Sequence, residues 1–344
     1  MKVLMVGPDR SVHGGISGVV NNYYEAGLDQ KIELCYIGTM VEGSKLRKLL
    51  QAVKAYLIFL RRLTDHEIVH VNMASDMSYR RKSFFIRTAH RFGKKLVIHQ
   101  HGGDFVNYYE KQLTDRGRKR LRRTLDMADV FLVLTPVWKT FFGKLIGEEK
   151  IVVLPDAVKI PEEREKLYGQ HRILFLGRLC RAKGIGELLE IIPALRQKYP
   201  EVKLYLGGIW EDKELQKQAL KYPEQVEWLG WITGKEKERY LEACDIFVMP
   251  SYFEGQSVSI LEAMAASCAI VAAETGGIPY MISQEETGIL VKPHSAEALL
   301  NGLDRVLGDE KLCAKIGKNA REKVSQEFAL DQTVLRLCQI YEGI

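Results

Sequence analysis

The sequence lacks the segments that mark membrane-spanning and secreted proteins. None of its 344 residues belongs to a run of the roughly 18 to 20 apolar residues that a membrane-spanning helix needs. The start, MKVLMVGPDR, meets proline and charge too early to be a signal peptide, and it instead predicts a first β-strand. The six cysteines are scattered singly, with no C-x-x-C pair and no histidine at metal-ligand spacing. We therefore expect a cytoplasmic globular protein with reduced thiols, without a disulfide framework or a zinc site.

The charged residues are unevenly distributed along the chain. Residues 1–168 contain 29 lysines and arginines against 19 aspartates and glutamates, whereas the remainder contains 21 against 25. The net charge of +6 therefore comes from the first half alone. A chain of this length is longer than one hydrophobic core usually supports, so two domains are expected.

Short apolar runs alternate with longer stretches of helical periodicity over the whole chain. The predicted strands are KVLMVG, IELCYIG, EIVHVNM, KKLVIH, VFLVLT, HRILFLG, VKLYLGG, QVEWLG, DIFVMP, CAIVAA and GILV. This alternation indicates an α/β protein with parallel sheets and helices on both faces. The prolines and clustered charges of PDAVKIPEEREKLYGQ predict a linker near residues 155–170. We expect doubly wound domains over residues 1–165 and 170–328, and a helix over residues 329–344 that crosses back to the first.

Ligands of open α/β sheets bind at the carboxyl ends of the strands, so the loops there are candidate sites. In GPDRSVHGGISGVV, Gly14 and Gly15 precede a predicted helix whose first amides could approach an anion, although a plain tight turn would have the same pattern. The sequence has no G-x-G-x-x-G, and no acidic residue ends the second strand to hold a ribose. A nicotinamide cofactor is therefore not favoured.

Two histidines fall in the stretch LVIHQHGGDF. His99 lies inside the predicted strand and is expected to be structural. His101 lies at the carboxyl end of that strand, in a polar, glycine-rich loop with Gly102 and Gly103. Because no second set of ligands accompanies it, we expect His101 to form a hydrogen bond to a substrate rather than to bind a metal.

The stretch GRLCRAKGIGELLE places two cations just after a predicted strand. Arg178 follows the strand directly, and Lys183 precedes the next helix. An arginine can bind two oxygens with its planar fork, while a lysine supplies a point charge. Together with the amides of a helix start, these residues predict a diphosphate site.

Two carboxylates occur in PSYFEGQSVSILEAMA, which the pattern predicts as a loop followed by a helix. Glu254 lies on the loop, and Glu262 lies in the second turn of the helix among apolar neighbours. Glu254 could be an ordinary acid near a helix start, but a solvated position accounts poorly for Glu262. Charged side chains are seldom buried without a partner. A ligand rich in hydroxyl groups, such as a nucleotide sugar, would use both acids as hydrogen-bond acceptors.

The stretches GRLCRAKG and PSYFEGQSVSILEAMAASCAIVAAETGG together resemble the signature of retaining glycosyltransferases of family four, in which two glutamates are separated by seven residues. The resemblance extends to the N-terminal Gly-Gly loop and to HGGDF, where it is less specific. It implies the GT-B fold, with two Rossmann-like domains facing a central cleft. Members of this kind assemble bacterial cell-surface polysaccharides, with a nucleotide sugar, here expected to be UDP-linked, as donor.

The resemblance implies a role for each matching residue. Glu262 would hold the ribose hydroxyls, and Glu254 would contact the transferred sugar near its reacting face. Arg178 and Lys183 would neutralise the departing diphosphate, and His101 would lie near an outer hydroxyl of the donor sugar. The residues expected to bind sugar and phosphate through backbone amides are Gly14, Gly15, Gly255, Gln256, Ser257 and Val258.

The resemblance also implies catalysis without a metal. Asp-x-Asp, the manganese clamp of the other large glycosyltransferase fold, does not occur in the sequence. In retaining members the departing phosphate is thought to take the acceptor's proton, so Glu254 would position the sugar rather than attack it. A retaining hydrolase needs two carboxylates roughly 5 Å apart, and Glu262 lies over a helical turn away. Many members have Phe-Gly after the Glu-Gly pair, where this chain has Gln256 and Ser257, so the sugar specificity stays open.

The basic first half suggests where the acceptor is bound. SKLRKLLQAVKAYLIFLRRL interleaves leucines with lysines and arginines, and YRRKSFFIRTAHRFGKK and DRGRKRLRR add further cations. This pattern suits the anionic inner face of a cell membrane and a lipid-linked saccharide acceptor, although an ordinary solvated helix would also fit. No nucleic-acid motif is present. A nucleotide-sugar epimerase of the same fold, or a basic adaptor without enzymatic activity, are the alternative readings.

Overall fold

The computed structural model describes residues 1–102 and 104–344, and Gly103 of the HGGDF loop lies outside the described residues. The chain divides into two compact units. The first unit contains Met1–Ala157 and Leu330–Ile344, and the second contains Val158–Ala329. The boundary therefore lies a few residues before the expected end of the first domain at residue 165.

The first unit is built on a six-stranded sheet of order β2-β1-β3-β4-β5-β6, in which every pair is parallel. Its strands are β1 (Lys2–Gly7), β2 (Glu33–Gly38), β3 (Ile68–Met73), β4 (Lys95–Gln100), β5 (Val130–Val133) and β6 (Ile151–Val153). Its helices before the boundary are α1 (Gly15–Glu25), α2 (Leu28–Lys31), α3 (Lys45–Leu63), α4 (Asp76–Arg91), α5 (Phe105–Asn107), α6 (Asp115–Leu125) and α7 (Pro136–Gly143). A π-helical turn at Tyr108–Gln112 and a 3-10 turn at Glu148–Lys150 complete it.

The second unit repeats this plan with a six-stranded parallel sheet of order β12-β11-β10-β7-β8-β9. Its strands are β7 (Arg172–Leu176), β8 (Lys203–Gly207), β9 (Val226–Gly230), β10 (Ile246–Met249), β11 (Ala269–Ala273) and β12 (Ile289–Val291). Its helices are α8 (Ile185–Glu190), α9 (Ile192–Lys198), α10 (Lys213–Ala219), α11 (Gly234–Ala243), α12 (Val258–Ala265), α13 (Ile278–Met281), α14 (Ala296–Leu307) and α15 (Glu310–Glu327), with a 3-10 turn at Arg181–Lys183. The last helix of the chain, α16 (Leu330–Glu342), belongs to the first unit.

The central strands are buried along almost their whole length because helices cover both faces of each sheet. All residues of β3, β10 and β11 are buried. Parallel sheets covered on both sides read as continuous rather than alternating apolar runs. The predicted α/β class with doubly wound parallel sheets is therefore confirmed.

Each sheet has one point where the strand order reverses. From β7 the chain adds β8 and β9 on one side and then returns to place β10 on the other. The carboxyl ends of β7 and β10 are therefore adjacent, although about 70 residues separate them in sequence. In the first unit the corresponding reversal lies between β1 and β3. Ligand sites in open α/β sheets form at such points.

The segment that follows the boundary packs against the second unit. Lys166 Nζ donates to the backbone oxygens of Leu241 at 2.6 Å and Ala266 at 2.8 Å. Tyr168 Oη donates to the backbone oxygen of Ser267 at 2.9 Å. The stretch around residues 155–170, expected to be a linker, is therefore tied to the second unit over its latter part. Within the described residues, no helix is long and apolar enough to cross a membrane.

Candidate functional site

The loops that follow β7 and β10 meet through an ion pair between Lys183 and Glu254. Lys183 Nζ contacts Glu254 Oε1, and Ser251 Oγ donates to the same carboxylate oxygen at 2.8 Å. The two charged side chains are only 19% and 12% exposed. Water therefore screens their attraction less than it screens a surface pair. The reversal point of the second sheet thus holds a cation and an anion in direct contact.

Gly184 allows the two loops to approach this closely. Its φ of +71° lies in the left-handed region, which side chains disfavour. A Cβ atom at this position would lie 2.1 Å from the backbone oxygen of Pro250, at the end of β10. The amide of Tyr252 donates to the backbone oxygen of Ala182 at 3.0 Å. A glycine directly after Lys183 therefore sets the distance between the lysine loop and the glutamate loop.

A second glycine holds the Glu254 backbone from the other side. Gly276 follows β11 with a φ of +56°, and a Cβ atom there would lie 1.8 Å from the backbone oxygen of Glu254. The amide of Gly277 donates to that same oxygen at 2.9 Å. Because β11 is the neighbour of β10, the loop Glu274–Gly277 fixes the backbone of Glu254 and thereby limits where its carboxylate can lie.

Glu262 also has a lysine partner. It lies in α12, and Lys237 Nζ on α11 is 2.6 Å from its Oε1 atom. The two side chains are 28% and 20% exposed. Lys237 was not among the residues predicted from the sequence, because no spacing rule connects positions on two helices separated by β10. Lysines therefore partner both acids.

Arg178 follows β7 and has a different partner. Its Nη1 atom lies 3.3 Å from each carboxylate oxygen of Glu211, and its side chain is 55% exposed. Arg181 is paired with Asp212 at 3.1 Å in the same way. Of the four charges expected to act together, the structure joins Lys183 directly to Glu254, whereas Arg178 and Glu262 are each held by another residue.

The predicted amide cradle lies at the start of α12. Ser257 caps the helix, since its Oγ atom accepts from the amide of Ile260 at 3.4 Å. Gly255, Gln256 and Ser257 are buried, and Val258 is the first helical residue. Amides in the first turn of a helix lack intrahelical acceptors, so they can bind an anion.

In the first unit, Gly14 and Gly15 lie at the start of α1. Gly14 is the extended residue before the helix, and Gly15 is its first residue. A Cβ atom on either glycine would meet none of the described residues within 4 Å. Packing within this unit therefore does not require glycine here, which leaves close approach of a ligand as a reason for it.

His101 is held by two polar residues that the sequence did not single out. Its Nε2 atom lies 2.7 Å from Asn72 Oδ1 on β3, and its Nδ1 atom lies 3.3 Å from Asp156 Oδ1. The side chain is 2% exposed. His101 was expected to form a hydrogen bond to a substrate, but its ring is buried and both of its nitrogens have protein partners. Only the order of the strands brings Asn72, Asp156 and His101 together.

The histidines of the first unit form a buried column. The rings of His99 and His101 lie 3.8 Å apart, and those of His70 and His99 lie 5.5 Å apart. Burial, followed by the nearby His101, lowers the pKa of His70 to about 3. His99, His101 and Asp156 offer one ligand atom each within 4.8 Å, so these residues could hold a metal ion. An ion there would have to displace the contacts of His101 to Asn72 or Asp156, so hydrogen bonding accounts for the cluster as it stands.

Comparison with known sequences finds a family model that matches most of the second unit. The sequence model of the family Glycosyl transferases group 1 matches residues 158–323. The amylovoran biosynthesis glycosyltransferase AmsK of Erwinia amylovora is 28% identical over 277 residues, which is 73% of this chain and 64% of AmsK. The chain spans between 44% and 64% of the length of the first curated relatives that it matches.

Solved structures share the fold over the whole chain. Sucrose-phosphate synthase from Thermosynechococcus elongatus superposes with a TM-score of 0.83 at 20% identity, over 99% of this chain and 98% of that one. Alr3699/HepE of Anabaena, solved in complex with UDP, superposes with a TM-score of 0.77 at 17% identity over 100% of both chains. The two Rossmann-like units are thus those of the GT-B fold. Over residues 158–323, the sequence matches the model of the glycosyl transferases group 1.

Proposed function

We propose that the protein is a retaining glycosyltransferase, which moves a hexose or N-acetylhexosamine from a nucleotide sugar to a saccharide acceptor. The observation that carries this proposal is the contact of Lys183 with Glu254 at the reversal point of the second sheet. A cation suits a diphosphate leaving group, and a carboxylate suits sugar hydroxyls. A site with a cation and a carboxylate in direct contact matches a nucleotide sugar, which has both a diphosphate and hydroxyl groups, better than a simple phosphate ester.

Lys183 and Arg178 would stabilise the diphosphate as it leaves. An ammonium group has three donors, and one carboxylate oxygen of Glu254 occupies part of that capacity. Arg178 would bring a second cation by sharing its contact with Glu211. Fixed cations aimed at developing charge lower a barrier without solvent reorganisation. The site would therefore not require a metal ion.

Glu254 would hold the transferred sugar in place. The contacts from Lys183 and Ser251 both reach its Oε1 atom, and within the described residues no donor reaches Oε2. The second oxygen can therefore accept a hydrogen bond from a sugar hydroxyl while the ion pair stays intact. In this role the carboxylate positions and stabilises, and the departing phosphate takes the proton of the acceptor.

Glu262 would bind the ribose, and the base would lie near the end of β9. The Oε1 atom of Glu262 faces Lys237, which leaves Oε2 for a hydroxyl. The backbone amides at residues 255–258 would bind sugar and phosphate, and the base would lie against residues 230–232. The UDP bound by HepE supports uridine diphosphate as the leaving group.

The first unit would bind the acceptor. Gly14 and Gly15 would approach the diphosphate, and the region of His101 would lie near an outer hydroxyl of the donor sugar. The name of AmsK supports a role in polysaccharide biosynthesis. The basic surplus of the first half supports a lipid-linked acceptor and peripheral attachment to the anionic, cytoplasmic face of a membrane.

A screen for stabilisation and transfer tests the proposal. The protein is heated with UDP-, GDP- and ADP-linked sugars, since a ligand at 100 times its Kd adds about 2.7 kcal/mol of stability. The stabilising donor is then incubated with saccharide-lipid extracts, and the product is examined by mass spectrometry and by NMR of the new anomeric centre. We expect a new glycosidic bond that keeps the donor's configuration, and loss of it in Glu254→Gln. A change in the donor sugar without an acceptor would indicate an epimerase, and inversion would refute the retaining mechanism.

A further inference from the structure

Helix α3 presents a row of apolar side chains to solvent. Its exposed residues recur at spacings of three and four, which places them on one face of a helix. They are Leu46, Leu49, Leu50, Val53, Leu57 and Leu60, with exposures between 37% and 65%. Its buried residues are Ala55, Phe59 and Leu63, so the helix is anchored by its C-terminal half. A contiguous exposed apolar surface of this kind marks a site of interaction.

The row forms one wall of a groove between α3 and α4. The groove has a volume of about 1030 Å³, and Leu49, Val53 and Leu57 face Met77 and Phe84 across it. Its size is at the upper end of ligand pockets in proteins. It is therefore a concave binding site rather than a flat patch.

The floor of the groove is fixed by aromatic packing. The rings of Tyr56 and Phe85 meet edge to face at 5.4 Å, and those of Phe59 and Phe85 meet at 5.0 Å. Tyr56 Oη lies 2.8 Å from Thr88 Oγ1, which ties α3 to α4. A ligand would thus find a preformed apolar channel and would not need to open one.

Cations line the groove without acidic partners. Lys45, Lys48, Arg80 and Arg81 are among its lining residues, against the single acid Asp76. In the described part of the chain, none of these four cations lies within 4.0 Å of a carboxylate oxygen. The Nε atom of Arg81 is a buried donor for which the described residues supply no acceptor. The four cations therefore give the groove a positive charge that no carboxylate of the described residues balances at contact distance, and this charge favours an anionic ligand.

We propose that this groove binds a single anionic lipid, with its aliphatic chain between α3 and α4 and its phosphate at the cations of the lining. The inference deepens the proposed function and rests on it in one respect, because the lipid is taken to carry the saccharide acceptor. A nucleic acid would leave the apolar walls uncovered, and an apolar peptide helix would leave the cations unpaired. A phosphate joined to a long aliphatic chain satisfies both halves of the site.

The exposed row on α3 explains how such a lipid would enter. An amphipathic helix with basic residues lies in the plane of a membrane surface with its apolar face among the acyl chains. Cations near an anionic surface contribute about 1 kcal/mol each. The helix would then place the open side of the groove at the bilayer, from which one lipid can slide in.

A photoreactive farnesyl phosphate tests the proposal with the full chain and without any sugar donor. Saturable labelling is followed by mass spectrometry of the peptides. We expect labelling of α3 and α4 at one probe per chain, with at least tenfold weaker binding to Val53→Asp. Leu335→Asp is the matched control, because Leu335 lies on α16 of the same unit and is 52% exposed. It should bind as the unmodified protein does, and the melting temperature of each variant shows that it folds.

Two competitors and two variants test the phosphate. Farnesol should compete at least tenfold more weakly than farnesyl phosphate, and this difference should shrink in Lys48→Gln and Arg81→Gln. Inorganic phosphate alone should not compete. Several results would each overturn the proposal. They are equal competition by farnesol, labelling outside α3 and α4, unchanged binding of the probe to Val53→Asp, a cross-linked pair of chains, and binding of the protein to anionic vesicles but not to the probe. The melting temperature of Val53→Asp is also measured with UDP. If UDP raises it, the nucleotide site is intact, and a failure of the lipid experiments then counts against this inference and not against the proposed transfer.

Discussion

The two units share one topology but use charge differently at the ends of their strands. In the second unit, Lys183 pairs with Glu254 and Lys237 pairs with Glu262, and all four side chains are less than one third exposed. In the first unit, the strand ends hold the buried His101 between Asn72 and Asp156, while the lysines and arginines lie on outer helices such as α3 and α6.

This difference indicates two kinds of ligand. Part-buried ion pairs can exchange partners with a small ligand that carries both anionic and hydroxyl groups. Surface cations such as those of α3, which have no carboxylate partner within 4.0 Å among the described residues, attract an extended anionic surface, and salt screens that attraction strongly. The same doubly wound plan would thus accommodate the proposed nucleotide-sugar site in one unit and the proposed lipid groove in the other.

The largest effect should follow from removing the cation of the Lys183–Glu254 pair. Lys183→Met should lower kcat by about 10²- to 10³-fold, because one fixed charge at the leaving group would be lost. Steady-state kinetics with the donor found in the screen would measure it. Lys217→Met is the control, since Lys217 pairs with Glu214 on the surface and is 70% exposed.

A double variant separates diphosphate binding from structure. Lys183→Met leaves Glu254 part-buried without its cation, and Glu254→Gln removes that unpaired charge. If Lys183 only stabilises the loop, the double variant recovers its affinity for UDP along with its melting temperature. We expect the melting temperature to recover and the affinity for UDP to stay low.

Removing the second acid should weaken donor binding by a smaller factor. Hydrogen bonds to charged groups contribute about 1.5–3 kcal/mol, so Glu262→Gln should raise the Kd for UDP by about 10- to 100-fold. Calorimetry with UDP and with its 2′,3′-dideoxy analogue measures the change. The analogue should bind both proteins equally weakly. The unmodified protein should bind UDP more tightly than the analogue. If Glu262→Gln keeps this preference, Glu262 does not contact the ribose.

The first unit should be the less stable of the two in acid. The folded-state pKa of His70 is lowered to about 3, whereas an unfolded histidine titrates near 6.5. The unfolded chain therefore binds the proton first as the pH falls. Stability is complete above about pH 6.5 and is lost progressively toward pH 3, with a loss of about 2 kcal/mol at pH 5 from this one group.

Hydrogen exchange at pH 7 and pH 5, corrected for the intrinsic rates, would locate the loss. Protection should fall in β3, β4 and α16, where His70 contacts His99 and Tyr341. His70→Gln should reduce the difference between the two pH values. Equal loss in both units would show that the histidine column does not determine acid sensitivity.

The order of elements could be predicted from the sequence, because covered parallel strands produce continuous apolar runs. Each of the predicted strands occurs, from Lys2–Gly7 to Ile289–Val291. Strand β6, at Ile151–Val153, was not predicted, although β12 is equally short and also lies at the edge of its sheet. The boundary between the units, at Ala157 and Val158, lies within the predicted linker, but the contacts of Lys166 to Leu241 and Ala266 leave no local pattern in the sequence.

The candidate site was predictable only in part. Glu254 and Lys183 could be found because each follows an apolar strand, and parallel strands bring their carboxyl ends to one edge. Lys237, Asn72 and Asp156 could not be found, because their contacts depend on the order of strands in the sheet rather than on spacing along the chain. The burial of His101 could not be predicted from the sequence for the same reason.

Removal of divalent metal should have the smallest effect. If Lys183 and Arg178 balance the charge of the leaving diphosphate, kcat should stay within about twofold after EDTA treatment, since fixed donors and cations can stabilise developing charge without an ion. The assay detects the glycoside directly by mass spectrometry, so that no metal-dependent coupling enzyme is involved. Loss of activity that manganese alone restores would mean that the paired lysine does not replace a metal. The charge pattern of the second unit would then serve its stability rather than its chemistry.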